Sequence, residues 1–300
     1  MGKINKLKNL ISKDSSISGI TFRLRKALND KMNNTSFYKE IERRKKIHYN
    51  FREHLEGVKP PVYWFETKQG QKKLIANTGI SFSRTLEGPF PSVEKFNLDD
   101  LPTKFCLKPN FGSSSNGVFL LKKYKNNSLV DIRSNNKFYN INSLNGMILN
   151  ERSLPFGIIA EEILESDYGL PCDFKFYTFY GEMGILMQVD RSRGRQEYKF
   201  YDSDCSPLRN IADRKINNDL RPPKNFKLLK QAALKISKIL PTPFVRVDLY
   251  EVNNQPYFGE FALRPGQNQL FTKGIDELLG KLWESSECKL MSELGEKYIP

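Results

Sequence analysis

Near the start of the chain, apolar residues recur at helical spacing. Ile4, Leu7, Leu10 and Ile11 share one face with Lys3, Lys6 and Lys8 elsewhere, and the period returns across Ile20–Met32 and Phe37–Leu55. Gly57, Pro60 and Pro61 end this region, and Pro89 and Pro91 mark a second break. From about residue 104 the pattern changes to short strand-like runs: Phe105–Leu107, Val118–Lys122, Ile158–Leu164, Phe174–Tyr180 and Ile185–Val189. The last two are predicted to join through Gly181-Glu182-Met183-Gly184 as a hairpin. Helical spacing returns at Phe226, Leu229, Ala233, Ile236 and Leu240, a second hairpin pairs Phe244–Glu251 with Tyr257–Leu263, and a final helix covers Ile275–Trp283. Helices mixed with antiparallel hairpins predict an α+β fold rather than a regular βαβ alternation, with no solenoid repeat and no long linker.

Composition narrows the class. The 300 residues, 39% hydrophobic and 27% charged, are enough for about two domains and exclude global disorder. No apolar run reaches the roughly 18 residues of a membrane helix, and the start lacks an apolar signal core, so a cytoplasmic protein is expected. Cys106, Cys172, Cys205 and Cys288 form no C-x-x-C pair, and with only His48 and His54 available a zinc set or a Ser-His-Asp arrangement is excluded in favour of carboxylates, Lys, Arg and metal. The net charge is +14. Residues 1–60 hold 15 Lys/Arg against 6 Asp/Glu, a net +9, so the basic excess is mainly N-terminal. Such a region suits nucleic acid, an anionic membrane face or an anionic substrate, and equally a solvated helical face.

Four segments carry candidate chemistry. If Asn253-Asn254-Gln255 is a three-residue loop, Val252 pairs with Pro256 and Asp248 comes to lie opposite Glu260 on one face, with Arg246 two residues away on the same face. Facing carboxylates call for a cation. Oxygen-only ligation favours Mg²⁺ helped by phosphates, while a solvent-facing salt-bridge trio fits the spacing equally. Lys108 on a strand leads into the small-residue loop Gly112-Ser113-Ser114-Ser115-Asn116-Gly117, which reads either as a phosphate cradle or as a Gly/Ser turn. Glu161, Glu162, Ile163 and Leu164 end an apolar strand where a purine and ribose could be held, or where the strand simply meets solvent. Asp190-Arg191-Ser192-Arg193-Gly194-Arg195 with Lys199 forms a dense basic loop, a phosphate clamp or plain surface.

Taken in chain order, these pieces resemble the ATP-grasp superfamily, specifically its teichuronopeptide-synthesis, TupA-like branch. The resemblance rests on Leu101-Pro102-Thr103-Lys104-Phe105-Cys106-Leu107-Lys108-Pro109-Asn110, on Ala160-Glu161-Glu162 with Leu164, on Asp173-Phe174-Lys175-Phe176-Tyr177 and Asp190-Arg191, and on Arg246-Val247-Asp248-Leu249-Tyr250 with Phe258-Gly259-Glu260. It covers about residues 101–280, and residues 1–100 match much less well. It implies an ATP-grasp fold with two α+β subdomains sandwiching the nucleotide: residues 1–60 as a basic helical region, 61–100 as a pre-grasp segment, and 101–165 and 166–300 as the two subdomains. It further implies Lys108 on the ATP phosphates under the Gly112–Gly117 loop, Lys73 or its neighbour Lys72 as a second ATP lysine, and Glu161–Leu164 as the adenine hinge. Asp248 and Glu260 are implied as Mg²⁺ ligands, Arg246 as the group that steadies the transferring phosphoryl, and Lys175, Arg191 and Lys199 as phosphate or substrate contacts. Many relatives carry Glu-x-Asn where this chain has Glu260-Phe261-Ala262, so the number of metal ions is left open.

The activity so implied is an ATP-dependent carboxylate–amine ligase working through an acylphosphate. The implied substrates are an anionic carboxylate, such as a uronic acid of a cell-surface polysaccharide precursor, and an amine or amino acid. A lipid-linked acceptor at the cytoplasmic membrane face would suit the basic N-terminal region. A phosphotransferase acting on a hydroxyl would use the same nucleotide machinery. A nucleic-acid binder fits less well, because the basic excess is confined to one end and no nucleic-acid module is present.

Overall fold

The structure, a computed structural model, describes residues 35–54, 65, 67–112, 116–150, 153–166, 169–191, 196–212, 214, 216–265 and 270–296. The expected helices over Ile4–Ile11 and Ile20–Met32, the Ser113–Ser115 stretch and Ser192–Arg195 lie outside these residues. In chain order the elements are α1 (Phe37–His54), α2 (Lys68–Ile75), β1 (Ser81–Phe82), β2 (Thr85–Phe90), β3 (Lys104–Pro109), β4 (Phe119–Lys123), β5 (Leu129–Asp131), β6 (Lys137–Phe138) and β7 (Ile158–Glu161). Then follow β8 (Asp173–Phe179), β9 (Glu182–Asp190), β10 (Glu197–Tyr201), β11 (Pro207–Leu208), α3 (Phe226–Ile239), β12 (Val245–Val252), β13 (Gln255–Ala262) and α4 (Lys273–Glu296).

Two sheets result. An antiparallel six-stranded sheet runs β2-β7-β3-β4-β5-β6, and a seven-stranded sheet runs β1-β13-β12-β8-β9-β10-β11, antiparallel except where β1 meets β13. The chain passes from one sheet to the other between β1 and β2, at Ser83 and Arg84. Pro89, read from sequence as part of a break, sits inside β2. That strand is at the sheet edge, where a missing N–H costs no ladder hydrogen bond.

Each sheet separates its chemistry by the two-residue period of the pleat. On β3, Phe105 and Leu107 face a core shared with Leu121, Leu129, Ile158 and Ala160, so Cys106 and Lys108 project from the other face. In the seven-stranded sheet Phe174, Phe176, Val245, Val247 and Leu249 face α3, whose Leu229, Ala233 and Ile236 recur at helical spacing. Asn225 caps that helix, its side chain accepting from Leu228 N. The opposite face of this sheet is covered at one end by α1 and α4: Phe37 meets Phe244 edge-on at 4.9 Å, and Trp283 stacks on Phe244 at 5.5 Å. Further along, the same face carries charge at Asp173 and Lys175 of β8, Asp248 of β12 and Glu260 of β13.

Both expected hairpins form with tighter turns than the sequence suggested. Between β8 and β9 the turn is Tyr180-Gly181, both at positive φ, and Glu182, Met183 and Gly184 belong to β9. Between β12 and β13 the loop has two residues, not three: Asn253 (φ 51°) and Asn254 (φ 59°) take the left-handed conformation that a two-residue hairpin needs, and Val252 pairs with Gln255 rather than Pro256. That shift alone would have turned Glu260 to the other face. A β-bulge at Gly259, between the pairs Leu249–Phe258 and Asp248–Glu260, restores the facing carboxylates.

A Cβ on Gly259 would stand 2.8 Å from Tyr250 Cε2 and 3.2 Å from Asp248 O. Gly259→Ala is expected to lower unfolding free energy by about 1–3 kcal/mol in urea denaturation, as overpacked sites do.

Candidate active site between the two sheets

The charged face of the six-stranded sheet centres on Glu161, the last residue of β7, which is buried. Lys72 of α2 reaches Oε1 at 2.6 Å, and Lys108 of β3 reaches Oε2 at 2.5 Å. Ser83, at the crossover between sheets, donates from Oγ to Oε2 at 2.8 Å. Lys72 also donates to Ser83 O at 2.6 Å and Ser83 Oγ at 3.2 Å, which uses all three of its donors within the protein. Lys108 has Glu161 as its one hydrogen-bonding partner among the described residues and keeps two N–H groups for a ligand. Burial alone would push the Glu161 carboxyl up, but Lys108 and Lys72 outweigh it and hold it below the ordinary carboxylate range.

The charged face of the seven-stranded sheet is a row across three neighbouring strands. Lys175 of β8, Asp248 of β12 and Glu260 of β13 are direct cross-strand partners. Asp248 is buried and doubly held: Arg246 donates from Nε to Oδ1 and from a terminal nitrogen to Oδ2, each at 2.7 Å, and Lys175 donates to Oδ2. Sequence reasoning placed Arg246 as the one side-chain cation on this face; Lys175, coming from a strand 73 residues earlier, is a second. Glu260 is more open and lies 3.9 Å from Arg246. Beyond Lys175, Asp173 accepts from Lys175 at 2.6 Å and from Arg191 at 3.0 Å. Burial raises its carboxyl, and Lys175 with Arg191 pulls it back below the usual value.

The two rows face each other. Burial would lower the Lys108 ammonium, but Glu161, with lesser contributions from Cys106 and from Glu260 on the other sheet, raises it. Lys68, in the first turn of α2, is lowered by burial against the pull of the same Glu260. α2 joins the halves physically. Gln71 donates to Phe261 O at 3.1 Å and accepts from Phe261 N at 2.9 Å, while the next residue, Lys72, pairs with Glu161.

Several expected positions shift. Lys73 is exposed on α2; Lys72, buried beside it, is the lysine at the site. Glu162 turns outward to Arg84 at 2.8 Å, away from the buried face. Ile163 and Leu164 follow the end of β7 without regular structure, and Asn116 and Gly117 form a turn before β4. Gly112 O accepts from Lys68 at 3.1 Å. Lys199 is not part of a basic loop. It lies on β10, opposite Gln188, whose other partner is Phe174, so it projects from the α3 face, opposite to Lys175. Its ammonium is tied to Asn218 O at 2.6 Å and Leu220 O at 2.7 Å. Lys68 and Ser83 were missed altogether, since neither belongs to a recognisable pattern.

The fold is thus an α+β pair of sheets with buried lysines on one side of the site and a carboxylate row on the other. The family model described as TupA-like ATP-grasp matches residues 40–284, and the chain belongs to this family, whose members are ADP-forming ligases. The match extends well before residue 101, where the recognisable motifs begin, and takes in most of α1. Similar solved structures include D-alanine–D-alanine ligase from Bacillus anthracis, 18% identical over 76% of this chain and 69% of that one, with a TM-score of 0.47. The ATP-grasp ligase PsnB with its minimal precursor, Mg and ADP is 13% identical, covering 79% and 64% of the two chains, with a TM-score of 0.42. N5-carboxyaminoimidazole ribonucleotide synthetase from Thermotoga maritima is 12% identical over 68% of this chain and 43% of that one, with a TM-score of 0.39. No curated protein matches by sequence.

Because Glu161 has a depressed value when folded, its ion pairs stabilise the protein above the ordinary carboxylate range and are lost as pH falls through the lower folded value. Glu161→Gln leaves Lys72 and Lys108 without a counter-charge. It is expected to cost about 3–5 kcal/mol at pH 7 in denaturant unfolding, with the difference from wild type shrinking towards pH 3.

Proposed function

We propose that the protein is an ATP-dependent carboxylate–amine ligase, joining an amine or amino acid to a uronic acid or related cell-surface polysaccharide precursor. The observation that carries this reading is the opposition of Lys108 on one sheet, with Lys72 of α2 beside it, to a carboxylate and guanidinium row on the other sheet. Anionic phosphates and a bridging cation complement that arrangement. In this reading residues 101–165 and 166–300 act as the two grasp subdomains.

Lys108, with donors to spare, contacts the ATP phosphates under the Gly112–Gly117 loop, while Lys72 fixes Glu161, which in turn orients Lys108. The main chain over Glu161–Leu164 adjoins the adenine. Asp248 and Glu260 supply two oxygen ligands on one face. Among the described residues no group of three or more His, Cys, Asp or Glu could hold a metal. Two carboxylates completed by substrate phosphates is the arrangement Mg²⁺ favours, and the residues fit it. When bound, Mg²⁺ would neutralise charge on the phosphates. Arg246, anchored on Asp248, has its guanidinium at the edge of this row, where it offsets the charge of the phosphoryl group in transfer. The substrate carboxylate oxygen bonds to the γ-phosphorus as the bond to ADP breaks; the amine nitrogen then attacks the acyl carbon, phosphate leaves with the carboxylate oxygen, and the nitrogen loses a proton. Lys175 and Arg191 hold Asp248 and Asp173 in place. The association of a basic N-terminal region with a lipid-linked acceptor belongs to the same proposal; no helix among the described residues is long and apolar enough to cross a membrane.

With an ¹⁸O-labelled carboxylate that supports turnover, one labelled oxygen is expected in the released phosphate; label confined to the organic product would mean phosphoryl transfer to a hydroxyl instead. Asp248→Asn is expected to reduce turnover roughly 10²–10³-fold with the fold retained by circular dichroism, the scale of losing one preorganised electrostatic group. Near-normal rates would remove the metal assignment. Lys108→Ala should weaken a non-hydrolysable ATP analogue roughly ten- to a hundredfold by calorimetry, about 1.4–2.8 kcal/mol.

A further inference from the structure

α2 starts on the stretch of backbone that carries Lys108. Lys68 N donates to Asn110 O at 2.7 Å and Gln69 N to Asn110 Oδ1 at 3.2 Å, which fastens the first turn of the helix two residues beyond Lys108. Asn110 is buried and is itself held, its N donating to Gly157 O at 2.9 Å and its Nδ2 to Phe156 O at 3.3 Å. Lys68 and Lys72, four positions apart, lie on one face of the helix. Lys72 turns that face to Glu161, and Gln71 beside it bonds the main chain of Phe261, the residue after Glu260. Lys68 is thereby set in the gap between Lys108 on one sheet and Glu260 on the other. Its electrostatic neighbours agree: of the charged groups around the Lys68 ammonium, Glu260 acts most strongly, then Lys108 and Glu161.

Donor counting separates the lysines of α2. Lys72 spends its three N–H groups on Glu161 and Ser83, and Lys73 is exposed. Lys68 makes one side-chain bond among the described residues, to Gly112 O at 3.1 Å, and keeps two N–H groups, as Lys108 does. No carboxylate among those residues forms an ion pair with it, whereas Lys72 and Lys108 share Glu161. Lys68 is half-buried and its bond to Gly112 is open to solvent, so the spare donors are within reach of a ligand. The acceptor stands at the entrance to the small-residue loop. Gly112 has φ 115°, a conformation that favours glycine, and no atom lies within 4 Å of where its Cβ would be, so the space beside it is open. A partly desolvated ammonium with free donors and no counter-ion complements an anion entering that space.

Resting on the ligase reading above, we propose that Lys68 is a second phosphate-binding lysine, which bonds a phosphate oxygen of the nucleotide and Gly112 O at once and so ties the loop to the bound phosphates. Lys108 reaches the phosphates from the sheet and Lys68 from the helix. Displacement of a fluorescent ATP analogue from the full chain, with Mg²⁺ present, gives the affinities of two competitors, a non-hydrolysable ATP analogue and adenosine. The ratio of the two isolates what the phosphates contribute. Lys68→Met is expected to reduce that ratio about tenfold. An unchanged ratio would overturn the proposal, whether neither affinity moves or both fall together, as they would if the lysine only propped the loop. In crystals of wild type with Mg²⁺ and the non-hydrolysable analogue, Lys68 Nζ is expected within hydrogen-bond distance of both a phosphate oxygen and Gly112 O. An ammonium that stays on Gly112 O alone, or turns to Glu260, would overturn the proposal while leaving the ligase reading intact. A wild-type chain that binds neither ATP analogue would overturn the ligase reading itself.

Discussion

A carboxylate withdrawn from water must be met by positive charge or surrender its own, and both halves of this protein are organised around that requirement. Glu161 is met by Lys72 and Lys108, and Asp248 by Arg246 and Lys175. In each case the acid sits on a strand whose alternate residues are core. The same pleat that buries Leu107 or Val247 therefore fixes where the neighbouring charge points. Folding and site formation are one event here, because each acid is buried against cations that the folded chain brings to it.

The class of fold was legible because it depends on local period. The spacing of Leu229, Ala233 and Ile236 reads directly as a helix, and the alternation through β12 and β13 reads as a hairpin. The facing of Asp248 and Glu260 was reached through a loop that does not exist. A three-residue loop and a two-residue loop followed by a bulge place the same residues opposite one another, and only the left-handed Asn253-Asn254 pair and the extra Gly259 distinguish them. Asn-Asn before alternating residues is a signal for the tighter turn; a bulge at a glycine has no comparable local mark.

What stayed hidden is non-local. Lys72 and Glu161 are separated by 89 positions, and nothing near either residue announces the other. α2 is short and carries Gly70 among polar residues, so its period is too weak to say which of two consecutive lysines turns inward. Lys199 was misjudged because the arginines before it dominate the local composition, although Glu197-Tyr198-Lys199-Phe200-Tyr201 itself alternates as a strand does. Charge density described the neighbourhood and pleat parity decided the direction.

The placement of α2 constrains the mechanics of the molecule. The amide of Gln71 completes the main-chain bonding of Phe261 as another strand would, and one residue later Lys72 is locked to the opposite sheet. These grips are on adjacent residues of one rigid turn, so the helix cannot stretch to follow both sheets if they separate. Any widening of the gap must rupture one grip and keep the other, which leaves α2 travelling with a single lobe as its passenger.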